Sequence, residues 1–159
     1  SDFSTSFSVA GKATNYTVNL ATADDTNASG AAIDIVTGTL TVSFIDALNI
    51  NATIGKLGGA SDINLSYGTL KINELSQDFK NLKIESNYSH NTIGVNGNNS
   101  FNVNANLSNC EFKYVDGFTF SKEITKSSKK EYEGYYNNAN SSKNITIISK
   151  YGGVTFKNN

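Results

Sequence analysis

Four stretches of this chain can be laid over one another, and that recurrence limits what it can fold into more than any other feature. They are Ile63–Ile72, Leu82–Val95, Phe101–Phe112 and Ile145–Phe156. Each opens with apolar residues at every second position, as Ile63 and Leu65 or Ile145 and Ile147. A period of two marks a strand with one buried face, because successive side chains leave a strand on opposite sides. Each stretch then reaches a corner residue (Tyr67, Tyr88, Leu107 or Tyr151), turns, and runs into a second short strand. Tyr88 follows Tyr67 by 21 positions, Leu107 follows Tyr88 by 19, and Tyr151 comes 44 later. Such a unit cannot bury its apolar face alone, so neighbouring units must stack.

The expected fold is therefore all-β: a single-domain β-solenoid-like (β-helix) stack of coils of about 20 residues with capping elements. A β-sandwich, whose strands also alternate with turns, is the alternative. Residues 1–159 read as one domain. In it, 1–35 form an irregular N-terminal cap, 36–114 the repeat coils, 115–142 a charged aromatic insert or cap, and 143–159 the final coil. Leu40, Val42 and Phe44, and Leu48, Ile50, Ala52 and Ile54, keep the two-residue period upstream of the repeats. Glu74–Phe79 has the composition for one turn of helix but is too short to stand alone. Thr22–Gly30 reads as a loop. The insert concentrates Lys122, Lys126, Lys129 and Lys130 with Glu123, Glu131 and Glu133, bracketed by Phe118, Phe120, Tyr132, Tyr135 and Tyr136. A β-arch or hairpin whose aromatics cover an open end of the stack fits that pattern.

Charge narrows the range of partners. Charged residues are 17% of the chain, the net charge is −1, and Arg is absent. A nucleic-acid partner is not expected without a basic surface or guanidinium groups to read phosphates and base edges. No run approaches the ~20 apolar residues of a membrane span. The chain has no Met, so we expect its N-terminus to have been cut, with a signal or lipid anchor removed. The single cysteine, Cys110, rules out an internal disulfide. It aligns with Leu70 and Val154 in the repeat and is expected in the core.

Little in the sequence suggests catalysis. His90 is the only histidine, set among Ser89, Asn91 and Thr92, and reads as an exposed corner residue. Asp46, Asp62 and Cys110 could partner it only by default, and no nucleophile elbow is present. The acids Asp24, Asp25, Asp34, Asp46, Asp62, Glu74, Asp78 and Glu85 form no tight constellation by spacing. Asp24 and Asp25 beside Asn27 are a weak candidate for an ion, although neither an EF-hand nor an Asp-bearing nonapeptide repeat occurs. Asn15, Asn51 and Asn144 head Asn-x-Ser/Thr triplets of the kind an Asn-rich chain produces by chance. Thr39 and Thr41 make one Thr-x-Thr pair, not a row. No catalytic residue, cofactor or metal is expected.

The repeated strand followed by Ser/Asn-x-Tyr-Gly-x-x-x-Phe/Ile, together with the ending Lys129–Tyr136 followed by Ile145–Phe156, resembles the adhesin-type domains common in Bacteroidetes. The resemblance covers roughly residues 40–159. It implies a β-solenoid-like cell-envelope protein, exported to the cell surface, outer membrane or periplasm, and it carries over no catalytic residue. The expected function is a non-enzymatic adhesin or scaffold that binds a surface glycan or envelope protein. A carbohydrate-active enzyme or carbohydrate-binding domain on the same scaffold is one alternative, and an envelope sensor is another. Tyrosine joins a flat apolar ring to a hydroxyl, a pairing suited to sugars and interfaces. Tyr67, Tyr88 and Tyr151 read as corner packing residues, and Tyr132, Tyr135 and Tyr136 as the surface contacts to a partner.

Alternation also names a core: Ile63, Leu65, Leu70, Ile72, Leu82, Ile84, Ile93, Val103, Phe112, Ile145, Ile147, Val154 and Phe156. Ile84→Asp would leave an unpaired carboxylate in that core at a cost of roughly 3–5 kcal/mol, enough to unfold most domains. Thermal unfolding followed by circular dichroism checks this, and a melting temperature within a degree or two of wild type would mean that Ile84 faces solvent.

Overall fold

The computed structural model describes the backbone of residues 6–9, 15–21, 31–35, 39–45 and 50–159, and the side chains over 54–65 and 68–159. Thr22–Gly30, with Asp24, Asp25 and Asn27, lies outside the described residues, as do Asp46 and Leu48. So do the side chains of Asp34, Leu40, Val42, Phe44 and Tyr67.

The described chain is all β. Its strands are β1 (Ser6–Val9), β2 (Asn15–Ala21), β3 (Ala31–Ile35), β4 (Thr39–Ile45), β5 (Ile50–Val95), β6 (Phe101–Lys113), β7 (Phe118–Lys126), β8 (Lys129–Tyr136) and β9 (Asn144–Asn158). Glu74–Phe79 lies inside β5 and is extended, with Leu75 and Phe79 buried. One turn of helix could not compete there with sheet pairing and burial of both side chains. At 46 residues β5 cannot be a straight rod, since ~3.3 Å per residue would carry it far beyond a domain of this size. Positive φ at Gly59 (65°) and Tyr88 (50°) marks two of its bends.

The strands form one sheet of mixed topology, ordered β1-β3-β5-β9-β6-β8-β7, with β2 reached through β4 from β5. Pairing is parallel except where β8 joins β6 and β7. Thr39 pairs with Ala60 and Ala31 with Ala52, each 21 positions apart. Asn144 pairs with Asn81 on one side and Asn102 on the other, so Asn81 and Asn102 are also 21 apart. β9, the last strand in sequence, thus occupies the layer between the end of β5 and β6.

Register corrects the sequence alignment at one corner. Ser108 and Cys110 flank Asn109 and pair with Lys150 and Gly152, which places Asn109, not Leu107, opposite Tyr151. Tyr88, flanked by Asn87 and Ser89, lies opposite Tyr151 on the other side. All three corner residues are left-handed, with φ of 50°, 55° and 53° at Tyr88, Tyr151 and Asn109. Matching by hydrophobicity selects Leu107, whereas the corner demands φ > 0, which Asn tolerates and Leu does not. For tyrosine the conformation costs on the order of 1–3 kcal/mol and persists only because the surrounding pairing fixes it. Cys110 accordingly lies opposite Gly152 rather than Val154, but it is buried as expected.

Every core residue named from alternation is buried except Phe112, which is half-buried against the core's edge. Phe101 is central: its ring meets Phe79, Phe118, Tyr136 and Phe156 at centroid distances of 5.8, 5.9, 5.1 and 6.0 Å. β7 and β8 form an antiparallel hairpin whose Phe120 and Tyr132 pack on Phe112, Phe118 on Phe156, and Tyr136 on Phe101 and Phe118. At the end of the sheet path, β7 carries a register shift between Phe120 and Lys122 and exposes Glu123 and Lys126, features that discourage further strand pairing.

A polar clasp holds the connection that leads back into β9. Buried Asn99 donates to the carbonyls of Leu75 and Ser76 at 3.3 Å each. The Asn137 amide donates to the Asn99 carbonyl at 2.7 Å. Lys143 donates to Asn99 Oδ1 at 3.0 Å and to the Gln77 carbonyl, and its ammonium lies 5.4 Å from the centre of the Phe79 ring.

After the Tyr151 corner, β9 passes so close to β5 that a Cβ on Gly152 would lie 1.9 Å from the Ser89 carbonyl oxygen. Gly152→Ala is expected to cost about 1–3 kcal/mol and lower the melting temperature by roughly 3–10 °C. Gly97→Ala, where a Cβ would meet nothing within 4 Å, is the control and should melt with wild type. Equal melting of the two variants would contradict the close approach.

Candidate functional site

Parity decides which side chains face outward on the sheet. On β8, Glu131, Glu133 and Tyr135 share one face, and Tyr132, Gly134 and Tyr136 share the other. Tyr132 and Tyr136 are 7% and 3% exposed and belong to the core. The expectation that they are surface contacts is corrected on that ground: adjacent Tyr135 and Tyr136 cannot both face solvent, and the core takes Tyr136. Only Tyr135 of the three faces outward, and it is half-buried.

Tyr135 flanks a groove of about 410 Å³ on the outer face of β9, β6 and β8. Its polar lining comes chiefly from Asn102, Asn104, Glu133, Asn144 and Thr146. The asparagines are a row fixed by register, Asn81, Asn144 and Asn102 lying side by side across three strands. Asn102 donates to Asn144 Oδ1 at 3.2 Å, and Asn144 to Asn81 Oδ1 at 3.4 Å. Asn102 also donates to the Ser141 carbonyl at 2.8 Å, which fixes its amide in place. Gly134, on the opposite face from Glu133 and Tyr135, lets β8 approach β7 closely; a Cβ there would lie 2.0 Å from the Thr119 carbonyl oxygen.

One lysine governs the charge beside the groove. Lys122 lies 2.7 Å from Glu131 and 3.7 Å from Glu133. Its hydrogen bond and charge hold the Glu131 carboxyl below the usual range, and Glu131 in turn raises the Lys122 ammonium. The arrangement offers amides, a hydroxyl, an aromatic ring and carboxylates on a rigid floor, a donor and acceptor set suited to a polyhydroxylated ligand.

The remaining sequence candidates do not converge. His90 is exposed and its ring lies over Gly153, with Nδ1 3.0 Å from where a Cβ would sit. Asp62, Glu74, Asp78 and Glu85 are not brought together; Glu74 pairs with Lys56 at 4.0 Å and Glu85 with Lys83 at 2.8 Å. Among the described residues, no group of three or more His, Cys, Asp or Glu is placed to hold a metal ion. Cys110 sits in a buried polar chain: its thiol is 3.5 Å from Ser149 Oγ, Ser149 Oγ is 2.9 Å from Ser86 Oγ, and Asn91 donates to Ser86 at 2.8 Å. Tyr88 and Tyr151 do pack at their corners, but on each other and outside the core, with parallel rings 4.9 Å apart.

No family model, curated protein or solved structure matches this chain. No helix among the described residues is long and apolar enough to cross a membrane.

Burial, and then the charge of Glu123, raise the Tyr132 phenol above its ordinary value, while a hydrogen bond with Thr125 acts the other way. A group whose folded pKa is raised stabilises the fold fully below its unfolded pKa, about 10 for tyrosine, and loses that contribution as pH climbs through the folded value. Stability measured in urea should therefore fall above about pH 10. Tyr132→Phe should fall less steeply over the same range, and identical slopes would mean that Tyr132 ionises freely in the folded protein.

Proposed function

We propose that this chain is a β-solenoid domain of a bacterial cell envelope that binds a surface glycan without transforming it, in an adhesive role. The coil reading is supported by the parallel pairing of β3 and β4 with β5 at 21 positions, and by the same offset of 21 between Asn81 and Asn102, which flank Asn144 on either side of β9. A β-sandwich pairs its strands mainly antiparallel within two facing sheets. The resemblance to adhesin-type envelope domains, and the export it implies, points the same way.

The groove beside Tyr135 carries the functional reading. Ordered amides can donate to one sugar hydroxyl and accept from the next, and an aromatic edge can pack on the C–H face of a pyranose. Because Asn81, Asn144 and Asn102 recur at the spacing of the strands, ~4.8 Å, the face suits an extended polymer contacted weakly at several points.

A glycan array followed by calorimetry on the best neutral oligosaccharide tests this. Tyr135→Ala and Asn104→Ala should each weaken binding about tenfold, equivalent to ~1.4 kcal/mol, with melting unchanged. Raising salt should have little effect, since hydroxyl–amide contacts are weakly screened. If no glycan binds the wild type, the adhesive reading falls and a scaffold or sensor role takes its place.

A further inference from the structure

The Tyr151 corner and the tip of the β7–β8 hairpin stand apart from the groove. Ser108 and Lys150, which pair with each other, lie four residues along β6 and β9 from Asn104 and Thr146 of the groove, about 13 Å away. Tyr88 and Tyr151 form an aromatic ladder there, rings within 6° of parallel and 53% and 49% exposed. The next layer holds Asn109 at the same corner, a side chain too short to continue the ladder. The Asn109 backbone N–H donates to the Ser128 carbonyl at 2.8 Å, which ties the corner to the hairpin turn.

Lysines surround that end of the ladder. Register places Lys150, Ser108, Lys129 and Lys126 side by side on the outward face. A groove of about 200 Å³ beside them takes in Ile148, Lys129 and Lys150, while Lys130, next along β8, has the parity of Tyr132. None of Lys126, Lys129, Lys130 and Lys150 is in an ion pair among the described residues. Glu131, the one carboxylate of that groove, is engaged 2.7 Å away by Lys122. In a chain of net charge −1 this is a local concentration of positive charge beside an exposed aromatic stack. Half-exposed Ile148 adds an apolar surface.

We propose that this corner is a second binding site, for a carboxylate-bearing sugar in a polyuronate chain. The pyranose ring takes the ladder position left short by Asn109 and packs against Tyr151. Its carboxylate faces Lys150 and Lys129, with Lys126 serving the adjoining residue of the polymer. Lysine suits this role as a flexible point charge where carboxylates recur along a chain. The strain of tyrosine at a left-handed corner has a use here, because it holds the rings outward.

Oligogalacturonate binding to the intact chain, measured by calorimetry, tests the site. Tyr151→Asn installs the residue already found at the neighbouring corner, so the backbone conformation is kept while the ring is lost. It should weaken binding at least tenfold, as should Lys129→Gln combined with Lys150→Gln. Affinity should fall severalfold between 50 and 500 mM salt. Tyr135→Ala should leave oligogalacturonate binding unchanged, which separates this site from the neutral-glycan groove. The proposal is overturned if oligogalacturonate does not bind, or if Tyr151→Asn binds it as wild type does. It is equally overturned if single-stranded DNA or anionic vesicles bind as tightly with the same dependence on the lysines alone.

Discussion

In-register parallel pairing is the constraint on which the rest of this molecule depends. Parallel neighbours keep the same parity, so a residue facing inward on one strand has inward-facing residues beside it on the next. Leu82, Ile145 and Val103 form one such row, and Ile84, Ile147 and Ala105 another. A slip of one position would turn both rows to water and bring the asparagines and lysines inside. The core and the polar face are therefore two consequences of a single register. The polar face is unusual for parallel strands, which mostly carry helices on both sides. Here side-chain amides that hydrogen-bond along the rows cover it instead.

The buried aromatic cluster solves the problem of where parallel pairing stops. β6 would expose a bare strand edge without the hairpin, and the hairpin reverses direction, shifts register at Phe120 and ends in charge. Its inward aromatics complete the environment of Phe101 and Phe156. Tyr132 and Tyr136 are thus structural, and their hydroxyl-bearing rings at the core's margin explain why tyrosine serves there as well as phenylalanine.

Much of this was legible in the sequence, and the exceptions share a cause. Alternation of apolar residues gave the all-β class and twelve buried core residues between Ile63 and Phe156, because parity translates directly into burial, but it left out Leu75, Phe79, Val95, Phe101, Ala105 and Leu107. It misjudged the tyrosines of β8, where Tyr135 and Tyr136 are adjacent and composition alone cannot say which faces in. It also placed the third corner at Leu107, since a match on side-chain size ignores the backbone. Asn109 was detectable only by asking which residues accept a left-handed φ. The groove was not legible at all: Asn102, Asn144 and Tyr135 come from three strands, and one of these enters the sheet out of sequence order.

That disorder between sequence and space bears on how the chain reaches its fold. β5 and β6 end up one strand apart with β9 between them, so neither edge is satisfied until a segment 63 positions beyond Asn81 and 42 beyond Asn102 arrives. Assembly cannot run as a zipper along the sheet. β6 and its hairpin must wait across an open slot, and closing it demands contacts of high sequence separation, the kind that slow folding most. Until then two parallel edges face each other with their amides and carbonyls bare, the state in which this domain is most exposed to mispairing with another strand.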